Sequence, residues 1–257
     1  MASTPAYLRE LTLLPERVPS YDRFPFSLPF VRDFRLELDA PVTFFVGENG
    51  TGKSTLLEAV AVILGVPAHG GSRQESADET SAPDAAALAG ALRASFVARP
   101  RDAWFFRAES LVAFADLLDR RRKDPDFHGD PYRSYGGTSL HDKSHGEAFL
   151  SVLANRLDAG LFLLDEPEAA LSPQRQLALL ALLQERVREG RSQFLIASHS
   201  PILMTFPQAA LISFDSTPPR RMALADTSHY RITRGVLQDP ALWWRQLESN
   251  EQDGATP

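Results

Sequence analysis

Residues 7–13 (YLRELTL) and 34–38 (FRLEL) alternate apolar and polar positions, the two-residue period of half-buried strands. The stretch between them, Pro15 to Pro29, is rich in proline and aromatics and reads as loop or edge structure. A short apolar run at 42–46 (VTFFV) stops at Gly47, and the pattern from Lys53 to Leu64 (KSTLLEAVAVIL) is helical. Residues 67–83, rich in Gly, Ser, Ala and Asp, predict a flexible loop. Helical patterns follow at about 84–95 and 108–123, with a strand from Ala103 to Phe106 between them. Residues 124–139 carry Pro, Gly and Asp and predict a second loop; a helix then starts near Ser144 and runs to about Leu157.

The C-terminal half is patterned more plainly. Residues 161–164 (LFLL) are a buried strand, and 173–189 a helix with proline in its first turn, where the missing N–H costs nothing. Strands are expected at 193–197 (QFLIA) and 210–214 (ALISF), and a short helix near 240–248. Strand–helix–strand order implies parallel pairing through right-handed crossovers. No internal repeat is visible, and no linker divides the chain.

Composition narrows the class. The 257 residues are 44% hydrophobic and 23% charged, enough for one sizeable α/β domain. The longest purely apolar run, Leu177 to Leu183, is far short of the roughly 20 residues needed to cross a bilayer. The first residues, MASTPAYLRE, lack the basic-then-apolar pattern of a secretion signal. A cytoplasmic protein without direct membrane insertion is therefore expected. The absence of cysteine excludes disulfides, thiolate catalysis and cysteine metal sites. A net charge of -6 argues against a broadly basic nucleic-acid coat, though not against a local patch such as Arg120-Arg121-Arg122-Lys123.

Three segments carry chemistry. Gly47-Glu48-Asn49-Gly50-Thr51-Gly52-Lys53-Ser54 matches the phosphate-loop pattern G-x4-G-K-[ST], with the required strand before it and helix after it, where Thr55 follows. Its glycines let backbone N–H groups curl around phosphate oxygens, and the helix N-terminus adds a positive dipole end. Lys53 is expected on the β- and γ-phosphates of ATP and Ser54 on Mg²⁺. The strand 161–164 runs into Asp165 and Glu166. In a parallel sheet these carboxylates share the phosphate loop's edge, so Asp165 can hold the Mg²⁺ shell and Glu166 can take a proton from the attacking water. His199, directly after strand 193–197, falls on the same edge and can contact the γ-phosphate.

These elements, in this order, resemble the ABC-type ATPase superfamily, and most closely its small stand-alone bacterial members related to the RecF and structural-maintenance-of-chromosomes group. The family signature, approximately L-S-G-G-Q or L-S-G-G-E, is matched in place by Lys143-Ser144-His145-Gly146-Glu147, which keeps the serine, the second glycine and an acidic end. The resemblance implies that Ser144, His145, Gly146 and Glu147 meet the γ-phosphate held by a second chain. Ser144 with Glu147 three residues on is also a capping box, and both roles are compatible. Leu171-Ser172-Pro173 resembles the D-loop, with Ser172 in place of its aspartate. Gln74 and Glu109 are the polar candidates for the Q-loop, and Tyr21, Phe24 and Phe26 for the aromatic that stacks on adenine.

The expected fold is thus an α/β P-loop NTPase with a mainly parallel sheet flanked by helices. An N-terminal antiparallel β region, a helical insertion at about 66–143 leading into the signature, and an extension at about 215–257 complete residues 1–257 as one ABC-type domain. Expected cofactors are ATP and Mg²⁺; expected partners are a second copy in an ATP-dependent homodimer, and an effector protein or nucleic acid. The nucleotide-binding subunit of a membrane transporter is the alternative, set back by the departures at the signature.

Overall fold

The structure is a computed structural model and describes residues 7–72 and 82–252. Its strands are β1 (Leu8–Leu13), β2 (Arg35–Glu37), β3 (Val42–Val46), β4 (Gly71–Ser72), β5 (Leu92–Phe96), β6 (Ala103–Arg107), β7 (Gly160–Asp165), β8 (Ser192–Ala197), β9 (Ala210–Ser213) and β10 (Arg220–Arg221). Its helices are α1 (Lys53–Leu64), α2 (Pro83–Ala91), α3 (Leu111–Lys123), α4 (His145–Arg156), α5 (Pro173–Arg188), α6 (Ser228–Gln238) and α7 (Pro240–Gln252). Among the described residues, no helix is long and apolar enough to cross a membrane.

Seven strands form the main sheet in the order β10-β9-β3-β8-β7-β6-β4. Its five central strands, β9, β3, β8, β7 and β6, pair in parallel, and β10 and β4 close the edges antiparallel. Because β8 lies between β3 and β7, the segments after Val46, Asp165 and Ala197 emerge side by side at one sheet edge. The alternation of side chains along each strand divides the core in two. Phe45, Phe105, Leu163, Leu195 and Ile212 face α1 and α2. Their neighbours Phe44, Phe106, Phe162, Phe194 and Ile196 face the side of α3, α4 and α5.

The antiparallel sheet β2-β1-β5 covers the first of these faces. Fully buried Gln193 ties the two sheets together. Its side chain accepts from Leu8 N and donates to Leu8 O, each at 2.8 Å, so an amide substitutes for a strand neighbour.

Two elements depart from the sequence pattern. The helix expected over 84–95 ends at Ala91, and Leu92–Phe96 pairs with β1 instead. The Ala- and Leu-rich run favours helix locally, but the β1 edge offers Leu92 to Phe96 a hydrogen-bonded partner, and tertiary pairing overrides propensity. Helix α6 carries no purely apolar segment. It is set by Thr227, whose hydroxyl accepts from Tyr230 N as its N-cap.

Candidate functional site

The phosphate loop is shaped from both sides. Gly52 has φ +94, and a Cβ there would lie 2.5 Å from Phe30 Cε1, so only glycine fits beside that buried ring. At Gly47, with φ +139, a Cβ would meet Asp215 Oδ1 at 2.7 Å. That same Asp215 oxygen accepts from Glu48 N at 2.7 Å. Lys53 is buried and donates to Gly47 O at 2.7 Å and Glu48 O at 2.8 Å, closing the loop across its own start. Burial lowers the Lys53 pKa, opposed by the nearby carboxylates of Glu166, Asp215, Asp165 and Glu48.

One residue further on, Ser54 Oγ donates to Asp165 Oδ1 at 2.9 Å. Asp165 is 6% exposed, and burial raises its pKa to about 6 against the favourable pull of Ser54 and Arg107. Arg107 ends β6 in register with Asp165 and lies 3.5 Å from its Oδ2. Its guanidinium is shared with Glu58 at 2.7 Å and Glu109 at 2.9 Å. Glu166 turns in the left-handed region at φ +46, half-exposed, with Oε1 3.5 Å from His199 Nε2. Burial and the Lys53 charge hold the His199 pKa below the ordinary imidazole value.

The chain gives matches at both halves of this edge. Residues 25–90, which include the phosphate loop, match the family model described as "AAA domain". Residues 147–205, from Glu147 past His199, match the model described as "AAA domain, putative AbiEii toxin, Type IV TA system". Comparison with curated proteins gives no match. Among solved structures, "An inward-facing conformation of a putative metal-chelate type ABC transporter" is similar with TM-score 0.50 and 16% identity over 88% of each chain. The "SMC head domain from Thermotoga maritima" is similar with TM-score 0.44 and 16% identity, over 80% of this chain and 94% of that one. The likeness at TM-score 0.50 bears on the fold, and the two models fall on the segments that hold the phosphate loop and Asp165. The chain has the fold of a P-loop NTPase, and the two family models that it matches in part describe AAA domains.

In this P-loop fold the sequence-predicted residues fall into two groups. Residues 47–54, Asp165, Glu166 and His199 meet at the edge just described. Ser144 to Glu147 open α4, where Ser144 N and Oγ both donate to Glu147 Oε2, at 3.0 and 2.7 Å, and a capping box forms. Glu147 also pairs with Arg175 at 2.9 Å. Ser144 and His145 are exposed, while Gly146 is buried; a Cβ at Gly146 would lie 2.8 Å from Ala170 O. Close backbone approach is therefore sufficient reason for glycine there.

Of the adenine-stacking candidates, Phe26 is buried, Tyr21 is covered by the Arg32 guanidinium at 5.0 Å, and Phe24 is 52% exposed. Gln74 lies outside the described residues. Glu109 is an ion-pair partner of Arg107.

Four further side chains belong to this edge without being among the residues that the sequence pattern predicts. Arg107 and Asp215 each follow an apolar strand run, the same signal that singled out Asp165. Glu168 accepts from His199 N at 2.5 Å and Ser198 Oγ at 3.0 Å, fixing the histidine's backbone. His229 comes from α6 and lies 2.9 Å from His199, a long-range contact with no local sequence signal.

Proposed function

We propose that the chain binds ATP with Mg²⁺ in this edge and hydrolyses it, and that two copies close on the nucleotide. The reading is carried by the contact between Ser54 and Asp165, two hard oxygen donors 2.9 Å apart at the N-terminus of α1, beside buried Lys53. These donors fit Mg²⁺, and Asp165 and Ser54 would hold it; bound there, the ion supplies charge neutralisation for the phosphates. Asn49, Gly50, Thr51, Gly52 and Thr55 line the path of the phosphates with backbone N–H groups, and Lys53 places its charge on the β- and γ-phosphates.

Hydrolysis needs a water oxygen to bond to the γ-phosphorus while the bond to the ADP oxygen breaks. Glu166 is the half-exposed carboxylate that accepts the water's proton, and His199 donates to the γ-phosphate. The exposed N-terminus of α4, with Ser144, His145, Gly146 and Glu147, offers a positive dipole end to the γ-phosphate of the partner copy. The chain is one ABC-type domain in this reading, a stand-alone relative of the RecF and structural-maintenance-of-chromosomes group. Its cycle serves DNA maintenance or defence in the cytoplasm, through an effector protein or nucleic acid.

The test is the mass in solution of Glu166→Gln with ATP and Mg²⁺, by light scattering after size exclusion. A dimer that requires nucleotide is expected, and a monomer at saturating ATP sinks the closing of two copies.

A further inference from the structure

His199 has two ring nitrogens with different surroundings. Nε2 lies 3.5 Å from Glu166 Oε1 and has no hydrogen-bond partner, although it is shielded from solvent. Nδ1 lies 2.9 Å from Nε2 of His229, and the two rings cross at 61°. Between two neutral imidazoles one nitrogen must donate and the other accept, so the pair has two arrangements.

The neighbours select one. If His199 Nδ1 donated, the Nε2 lone pair would face the Glu166 carboxylate, an acceptor against an acceptor. If His229 Nε2 donates, His199 carries its hydrogen on Nε2, toward Glu166. The far side of His229 agrees: Ser228 Oγ lies 3.5 Å from His229 Nδ1, where a hydroxyl can donate and leave the ring hydrogen on Nε2. Donors then point one way, from Ser228 through His229 and His199 to the site.

The charged groups that act on His199 are Lys53 of α1, Glu48 of the phosphate loop and Glu166 beyond β7, with His229 of α6 alongside; Glu168 holds its backbone N–H. None of these except His229 reaches Nδ1 with a hydrogen bond among the described residues.

We propose that His229 is a positioning residue, which fixes the His199 tautomer so that the Nε2–H is presented to the γ-phosphate. Helix α6 thereby belongs to the reaction machinery although it lies outside the sheet. Its N-terminus is held in place by buried Thr227, whose hydroxyl donates to Leu224 O at 2.8 Å and accepts from Tyr230 N at 3.3 Å. The inference rests on the role of His199 proposed above.

The test uses the full chain and four variants. His229→Phe keeps a ring and removes the donor, whereas His229→Gln keeps a donor in reach. The expected result is roughly tenfold lower kcat for His229→Phe with KM for ATP within about twofold, as for loss of an imidazole's outer partner. His229→Gln should restore kcat to within about threefold of wild type. Adding His229→Phe to His199→Ala should lower kcat no further, because one residue acts through the other. Long-range ¹H–¹⁵N correlation of the His199 ring should show the Nε2–H tautomer in wild type and a mixture in His229→Phe.

Retention of the Nε2–H tautomer in His229→Phe, or independent losses in the double variant, overturns the inference. His199→Ala with wild-type kcat overturns the role of His199 itself, and the ring spectrum then still decides whether His229 sets the tautomer. Helix content by circular dichroism separates these outcomes from unfolding.

Discussion

Ser54 Oγ donates to Asp165 Oδ1 across 2.9 Å, joining two residues 111 positions apart in the chain. The contact exists because β8 inserts between β3 and β7, which brings the start of α1 opposite the end of β7. It also draws Asp165 into a site where its charge is poorly solvated.

That burial has a pH signature. Folding raises the Asp165 pKa from 3.8 to about 6, so between these values the folded chain binds a proton that the unfolded chain lacks. This group's contribution to stability therefore grows as pH falls through the window and is unfavourable above it. Asp165→Asn should stabilise the nucleotide-free protein at pH 8 by about 1–3 kcal/mol, with the gain shrinking toward pH 4. Thermal melts of both proteins at the two pH values measure it, and a variant less stable at pH 8 contradicts the account.

Lys53→Ala should weaken ATP by roughly 10–100-fold, the loss of charge-assisted bonds to phosphate. Lys53 donates to Gly47 O and Glu48 O, so the variant also loosens the loop's start. Equilibrium titration with a labelled nucleotide checks this; unchanged affinity would place ATP elsewhere.

Glu166→Gln should keep ATP affinity and hydrolyse it about 10²–10⁴-fold more slowly, since the amide no longer accepts a proton. Single-turnover rates with radiolabelled ATP give the value. A rate within a few-fold of wild type assigns proton transfer to another group.

Ser144→Arg in the Glu166→Gln background should abolish the nucleotide-dependent dimer while the monomer still binds ATP. The added side chain would stand at the exposed opening of α4, where the partner's γ-phosphate must approach. A dimer that survives would reduce Ser144 and Glu147 to a helix cap.

Gly146→Ala tests packing separately. The new methyl would meet Ala170 O, a backbone atom, at 2.8 Å, so α4 or the loop before α5 must shift. A loss of about 1–3 kcal/mol is expected in denaturant melts without nucleotide. Wild-type stability would mean that the loop yields freely.

What the sequence made legible followed from local signals. The phosphate loop, Asp165, Glu166 and His199 sit at strand ends, and strand order alone puts them on one edge. Strand β5 was hidden because LRASF continues an Ala- and Leu-rich helix, and only the edge of β1 pulls it into a sheet. Arg107 and Asp215 were within reach, since each charged residue ends or soon follows an apolar run as Asp165 does. His229 was not: its partner lies 30 residues away, and a histidine on an exposed amphipathic helix carries no mark of its destination.

Asp215 holds the first peptide of the phosphate loop, and Lys53 holds the same stretch from the other side. The loop is thereby moored at its start before any nucleotide arrives, and much of the ordering entropy is spent during folding rather than at capture. The end of strand β9 thus acts on the phosphate loop through Asp215, two residues beyond it. A disturbance at the far edge of the sheet, where β10 and the C-terminal helices attach, has a short mechanical route to the cradle through a single carboxylate.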